Sequence, residues 1–121
     1  MHYYRRLPQF EYVAPKSVEE GCSFLQANQA ETRVIAGGTI TLHRMKERIG
    51  VRKYLLSLKA IPGLDTMSAN GDGKLKIGPM AFIQSVADSP IVRKQCALLG
   101  LACSIHGTPQ IRNMGTIGGN V

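Results

Sequence analysis

The sequence predicts an α+β chain in two parts: a small α/β lobe over residues 1–58, then a second lobe over 59–121 that opens with a hairpin and continues as helices. Three observations predict it. A short apolar strand at 32–35 runs into a Gly-Gly turn and then a helical pattern over 40–49. Upstream, a capped amphipathic helix follows a strand candidate. Downstream, a polar stretch with two glycines at 69–73 separates two more strand candidates.

Phe10-Glu11-Tyr12-Val13 alternates as a short strand should, and Pro15 then breaks the chain. Ser17 is a natural N-cap, and Glu20, three residues on, completes a capping box. Val18, Cys22, Phe24 and Leu25 fall near one face, so the pattern predicts a helix over Val18–Asn28. Thr32–Ile35 reads as a buried strand. The helix over 40–49 is predicted to bury Leu42, Met45 and Ile49 and to stop at Gly50, and Tyr54-Leu55-Leu56-Ser57-Leu58 makes the next strand. A lobe boundary is expected near Ala60-Ile61-Pro62-Gly63.

In the second part, strands over 64–68 and 74–77 flank Ala69-Asn70-Gly71-Asp72-Gly73 as a hairpin. A short helix is predicted over 79–87. Ser89-Pro90 opens another, with Ile91, Leu98, Leu99 and Leu101 as its apolar face and its end near Ile105 or His106. Residues 107–114 then lead into Gly115-Thr116-Ile117-Gly118-Gly119-Asn120, read as a glycine loop.

Composition narrows the function classes. No run approaches the roughly eighteen apolar residues of a membrane helix, and the start, Met1-His2-Tyr3-Tyr4-Arg5-Arg6, carries no apolar signal core. Three cysteines, Cys22, Cys96 and Cys103, without an export signal point away from a disulfide framework and toward the reducing cytoplasm. Cys96 and Cys103 are spaced as buried thiols on one helix face. His2, His43 and His106 have no ligand spacing, so no metal is expected.

Fifteen Lys and Arg against eight Asp and Glu give a formal charge of +7, a balance that suits anionic partners. The seven aromatic residues are not interleaved with the basic ones, as a base-stacking surface requires, so nucleic acid is disfavoured. The basic stretch Arg44, Lys46, Arg48, Arg52 and Lys53 is either a solvated helix face or a docking surface for a partner subunit.

Two glycine-rich segments carry the functional signal. A buried strand turning through Gly37 and Gly38 into a helix gathers free N–H groups and the positive end of the helix dipole, and it lets backbone approach an anion closely. Thr39 and Thr41 can add hydroxyls. Gly115, Gly118 and Gly119, flanked by Thr116 and Asn120, form the second, with Arg112 upstream as either a phosphate partner or a surface residue. Neither segment is a P-loop or a Gly-x-Gly-x-x-Gly fingerprint.

Together they resemble the flavoprotein domain of the molybdenum hydroxylases, the xanthine dehydrogenase and carbon monoxide dehydrogenase family, and most the separate medium subunit. The Ala36-Gly37-Gly38-Thr39 stretch through Met45-Lys46 is similar to the first motif of that family. Gln110-Ile111-Arg112-Asn113-Met114-Gly115-Thr116-Ile117-Gly118-Gly119-Asn120 is similar to the second. The openings at 10–12 and 14–17 and the join at 58–64 are also similar, so the resemblance spans essentially the whole chain.

The resemblance implies an FAD-binding PCMH-type fold of the vanillyl-alcohol oxidase class: a small α/β lobe followed by the start of an antiparallel-sheet lobe, with FAD between. It implies that Ala36, Gly37, Gly38, Thr39 and Ile40 line the FAD diphosphate, joined by Thr116, Gly118, Gly119 and Asn120. Ile40 stands where relatives often have a polar residue, so only its backbone is expected to contribute. The implied role is electron transfer: FAD takes electrons from an iron–sulfur partner subunit, itself fed by a molybdopterin subunit, and passes them to an external acceptor. No side chain is expected to act as acid or base. Because relatives are longer, the fold is expected to be incomplete, and the 121 residues are expected to be a fragment that binds FAD weakly or not at all. Two alternatives stand beside this reading: a stand-alone flavin oxidoreductase of the same fold, and a small basic protein that binds anionic partners.

Overall fold

The computed structural model describes residues 6–121; the expectations for the chain start and for His2 lie outside the described residues. The chain divides into two compact units, one ending at Ile61 and one running from Pro62 to Val121. Strands and helices are both present, as an α+β class requires.

The first unit is built as β1 (Glu11–Val13), α1 (Val18–Asn28), a 3-10 turn (Gln29–Glu31), β2 (Thr32–Ile35), α2 (Thr41–Lys46) and β3 (Tyr54–Ser57). Its three strands are parallel in the order β1-β3-β2, with Val13 and Val34 both facing Leu56 in register. A central parallel strand is covered on both faces. Accordingly Leu55, Leu56 and Ser57 are all buried, and Leu55 joins Ile35 and Met45 in a core that Phe10 and Leu42 flank.

Helix α1 has the predicted bounds because its start is over-determined. The Ser17 hydroxyl accepts from the Glu20 N–H at 3.1 Å, and the Glu20 carboxylate accepts from the Lys16 N–H at 2.9 Å. Its contact face differs from the predicted one. Val18 and Cys22 are exposed, and the buried residue is Gly21, where a Cβ would stand 3.4 Å from the Pro15 ring. Phe24 supplies the aromatic contact, edge-on to Tyr54 at 5.1 Å.

Helix α2 is shorter than the predicted 40–49. It stops at Lys46, and a residue other than Gly50 does the stopping. Arg48 adopts φ 62°, its N–H donates to the Met45 carbonyl and the Ile49 N–H donates to the Arg44 carbonyl, a complete Schellman C-cap on a non-glycine residue. The turn carries Ile49 out of the helix and leaves it 55% exposed, so Ile49 is not core. Met45, at 2%, is.

The second unit contains β4 (Met67–Ala69), β5 (Leu75–Ile77), α3 (Ile83–Asp88), α4 (Pro90–Gln95), α5 (Ala97–Ser104), α6 (Pro109–Arg112) and α7 (Ile117–Asn120). The hairpin is antiparallel, with Met67 opposite Ile77, and Gly73 at φ 75° closes its turn. Its first strand is shorter than the predicted 64–68. Met67, Leu75 and Ile77 pack on a core of Ala81, Ile83, Val86, Ala87, Val92 and Cys103. Complete burial of Val86 and Val92 contributes about 1.5–3 kcal/mol each.

Three predicted helical features of this unit are corrected. The helix expected from residue 79 begins at Ile83, because residues 79–82 pair with the last segment of the chain instead. The helix from Ser89-Pro90, capped as predicted by the Ser89 hydroxyl, breaks at Cys96, which sits at φ −150°, ψ 75°. That break re-aims the next helix. Ile91, Leu98 and Leu101 are exposed, Leu99 is only partly buried, and Val92, Gly100 and Cys103 face the core. Cys96 is therefore exposed and off the helix face that holds buried Cys103. Finally, the stretch after Gly107 holds two short helical turns rather than an open loop. No helix among the described residues is long and apolar enough to cross a membrane.

Candidate functional site

The first glycine segment leaves the carboxyl end of β2, where ligands of parallel sheets are bound. Ile35, its last strand residue, is buried and its carbonyl accepts from the Leu58 N–H, which pins the segment's start. Ala36, Gly37, Gly38 and Thr39 are half-buried and Ile40 is 65% exposed. Gly38 has φ 77°, which favours glycine, and a Cβ there would lie 3.0 Å from Ile35 Cδ1 and 3.4 Å from Leu42, so a side chain would also press on its neighbours.

Helix α2 starts without a side-chain cap. The first backbone bonds run from the Leu42 N–H to the Gly38 carbonyl and from the Arg44 N–H to the Ile40 carbonyl. Among the described residues, the N–H groups of 37–41 donate to no backbone or side-chain acceptor. Uncapped helix starts of this kind collect anions, since the orphan donors and the helix dipole add at one point.

The second segment is organised differently. Residues 79–84 and 112–118 are joined along a seam. The Gly118 N–H donates to the Pro79 carbonyl at 2.9 Å, the Ile117 N–H to Ala81 at 3.0 Å, and the Ile83 N–H to the Gly115 carbonyl at 3.0 Å. Phe82 and Thr116 face each other between these bonds. Thr116 is 1% exposed, and its hydroxyl caps α7 by accepting from the Gly119 N–H at 3.1 Å. A Cβ on Gly118 would fall 2.6 Å from Pro79 Cβ and 2.8 Å from its carbonyl oxygen. Gly118 is thus glycine because Pro79 occupies the space. Gly119 and Asn120 are exposed.

Arg112 is not an idle surface residue. Its Nε donates to Gln84 Oε1 at 2.9 Å, and its Nη1 to the carbonyls of His106 and Gly107 at 3.2 and 3.3 Å. The signal for this part of the chain was Thr108-Pro109, an N-cap followed by proline at the first helical position, which sets α6 and with it Arg112.

Elsewhere, only Arg44 and Lys46 of the basic stretch are on α2; Arg48, Arg52 and Lys53 follow it, and all five are exposed. The Arg48 guanidinium donates to the Arg6 carbonyl at 2.8 Å. Hydrogen bonding of its ammonium to the Tyr54 side chain, together with the charge of that side chain when ionised, raises the pKa of Lys53. His43 is exposed and His106 half-buried. Among the described residues no group of three or more His, Cys, Asp or Glu side chains could hold a metal ion.

Comparison with known proteins gives these segments a context. The family model described as "FAD binding domain in molybdopterin dehydrogenase" matches residues 8–121. The carbon monoxide dehydrogenase medium chain of Hydrogenophaga pseudoflava is 37% identical over 114 residues, covering 94% of this chain and 39% of that protein. The nicotine 6-hydroxylase medium subunit of Paenarthrobacter nicotinovorans is 33% identical, covering 96% and 40%. Among solved structures, carbon monoxide dehydrogenase from H. pseudoflava superposes with TM-score 0.91 at 36% identity, over 95% of this chain and 40% of that one. Quinoline 2-oxidoreductase from Pseudomonas putida 86 superposes with TM-score 0.88 at 30% identity, over 94% and 39%. The chain spans about two fifths of the length of these relatives.

Proposed function

The chain belongs to the family of FAD-binding domains in molybdopterin dehydrogenases, and from that membership we propose that it is the FAD-binding part of an oxidoreductase's electron-transfer subunit. The observation that carries the reading is the first glycine segment: orphan N–H groups at 37–41 at an uncapped helix start, with Gly38 in a left-handed conformation that favours glycine. That donor set fits a diphosphate, which offers several anionic oxygens and needs close backbone approach.

In this reading Ala36, Gly37, Gly38, Thr39 and Ile40 line the diphosphate, Ile40 through its backbone alone. Of the second set, Thr116 and Gly118 contribute by shaping the segment, and exposed Gly119 and Asn120 present the contact surface. When bound, FAD supplies the electron-carrying chemistry; the chain's residues bind and orient it, and none transfers a proton. The partners are an iron–sulfur subunit that delivers electrons and a molybdopterin subunit that oxidises the substrate, with the cytoplasm as the setting. Relatives named as medium chains or subunits support a multi-subunit assembly, and three free cysteines suit a reducing compartment.

The test is an FAD titration of the full-length protein followed by flavin fluorescence, with Gly38→Ala alongside. The variant is expected to bind about tenfold more weakly, as loss of one or two charge-assisted bonds implies. A folded Gly38→Ala chain that binds FAD as the wild type does sinks the assignment of this segment. Co-purification with iron–sulfur and molybdopterin subunits supports the electron-transfer role, and a flavin-only species that turns over substrate alone counts against it.

A further inference from the structure

We infer that Arg112 is a positioning residue: acting through Gln84, it fixes the geometry of the second glycine segment and touches no ligand itself. The seam described above pairs 79 with 118, 81 with 117, 82 with 116 and 83 with 115. The bond from Arg112 Nε to Gln84 Oε1 continues that series by one more residue on the 79–84 side, across 28 residues of sequence. Arg112 is therefore the last fastener of a continuous closure.

Each end of the fastener is itself held. Gln84 Nε2 donates to both carboxylate oxygens of Asp88 at 3.1 Å, one helical turn along α3. This fixes which way the amide points and presents Oε1 to the guanidinium. At the other end, Nη1 ties down two carbonyls that follow α5, those of His106 and Gly107. Gly107 has φ 55°, and a Cβ there would lie 3.3 Å from Ile111, so the turn favours glycine. One planar guanidinium thus joins α3, the α5–α6 turn and α6, and α6 leads through the 2.7 Å bond from the Gly115 N–H to the Ile111 carbonyl into residues 115–120. A point charge on a flexible stem cannot reproduce this fork of donors. With Nε and Nη1 engaged on protein acceptors, the guanidinium works as a brace.

The consequence for FAD rests on the function proposed above, so the test reads the segment's order and the cofactor separately. Amide hydrogen exchange is measured on the wild-type chain and on Arg112→Ala, Arg112→Lys and Gln84→Ala, and each is titrated with FAD. Exchange at Ile83, Ile117 and Gly118 is expected to accelerate about tenfold in both Arg112 variants and a few-fold in Gln84→Ala, with Leu55 and Leu56 of the first unit unchanged. FAD affinity is expected to fall by similar factors, and the Gln84→Ala/Arg112→Ala double variant to be no worse than Arg112→Ala alone.

Unchanged exchange at the seam overturns the inference, as does full rescue by lysine, which would make charge sufficient. If Arg112→Ala weakens FAD while Gln84→Ala leaves both readouts at wild-type values, Arg112 is a direct ligand and the inference is wrong. A full-length wild-type protein that takes up no FAD while the variants loosen the seam strikes the cofactor reading and leaves the bracing role supported.

Discussion

Gly118→Ala separates the two reasons a glycine can stand in a cofactor motif. If glycine is needed only for approach to a ligand, alanine should spare the fold and weaken binding. The geometry says otherwise. An added Cβ at 2.6 Å from Pro79 Cβ and 2.8 Å from its carbonyl must move outward by most of an ångström. Overpacking of that kind costs about 1–3 kcal/mol, and straining or losing the Gly118 N–H bond to Pro79 adds about 0.5–1.5 kcal/mol. Alanine's preference for the helical conformation of α7 returns about 1 kcal/mol. The net loss is about 2 kcal/mol, a large share of the ~5–15 kcal/mol that holds a domain together. Native-state amide exchange at Val86 and Val92, both fully buried in this unit, should therefore lose protection by roughly thirtyfold without any flavin present. Wild-type protection in the apo variant, with FAD affinity alone reduced, would refute the packing argument.

Three further outcomes follow from the structure. Arg48→Gly should be more stable than Arg48→Ala by about 1 kcal/mol in thermal unfolding, since both remove the guanidinium but only glycine adopts φ 62° without cost; equal stabilities would remove the C-cap interpretation. Thr116→Val should lose about 1–2 kcal/mol in urea unfolding and Thr116→Ser clearly less, because serine retains the cap on the Gly119 N–H; a loss in Thr116→Ser with none in Thr116→Val would assign the effect to methyl packing. Burial raises the pKa of the Cys103 thiol above its ordinary 9.0, so an unfolded chain releases that proton before the folded one does. Its contribution to stability is complete below about pH 9 and declines as pH rises beyond it. In a thiol-reagent titration of the native chain at neutral pH, Cys22 and Cys96 should react promptly and Cys103 slowly; three equally fast thiols would contradict its burial.

The elements legible in the sequence were those with punctuation at their ends. Pro15, Ser17 and Glu20 define the start of α1 by local chemistry, Val34-Ile35 runs straight into the Gly-Gly turn, and Tyr54-Leu55-Leu56 is a short apolar run that starts after Lys53. The break at Cys96 had no such mark. No glycine or proline interrupts residues 91–99, and the choice of Val92, Gly100 and Cys103 over Leu98 and Leu101 as core is made by the surfaces they meet. At the end of α2, Gly50 offered the expected stop, yet Arg48 two residues earlier takes the left-handed conformation first.

Of the candidate site, the strand–glycine turn–helix order of the first segment was readable, because each part has its own local signature. The second segment was readable as glycine-rich but not as helical. Thr116 has the side chain of an N-cap and equally of a phosphate contact, and in the structure it is buried and caps α7. Arg112 likewise could not be assigned from type alone, because its partner Gln84 lies 28 residues away.

That separation has a kinetic meaning. The first glycine segment closes on itself, with Leu42 bonded to Gly38 only four residues back, and such local contacts form early at little entropic cost. The seam instead joins residues 112–118 to residues 79–84, some 28 to 39 positions apart, so the chain between them must be closed into a loop before it forms. Non-local closures of this kind come late in folding. The two glycine segments therefore mature on different clocks. In pulse-labelled exchange during refolding, the Leu42 amide should become protected ahead of Ile117 and Gly118, and a newly made chain passes through an interval in which its first segment is formed and its second is still open.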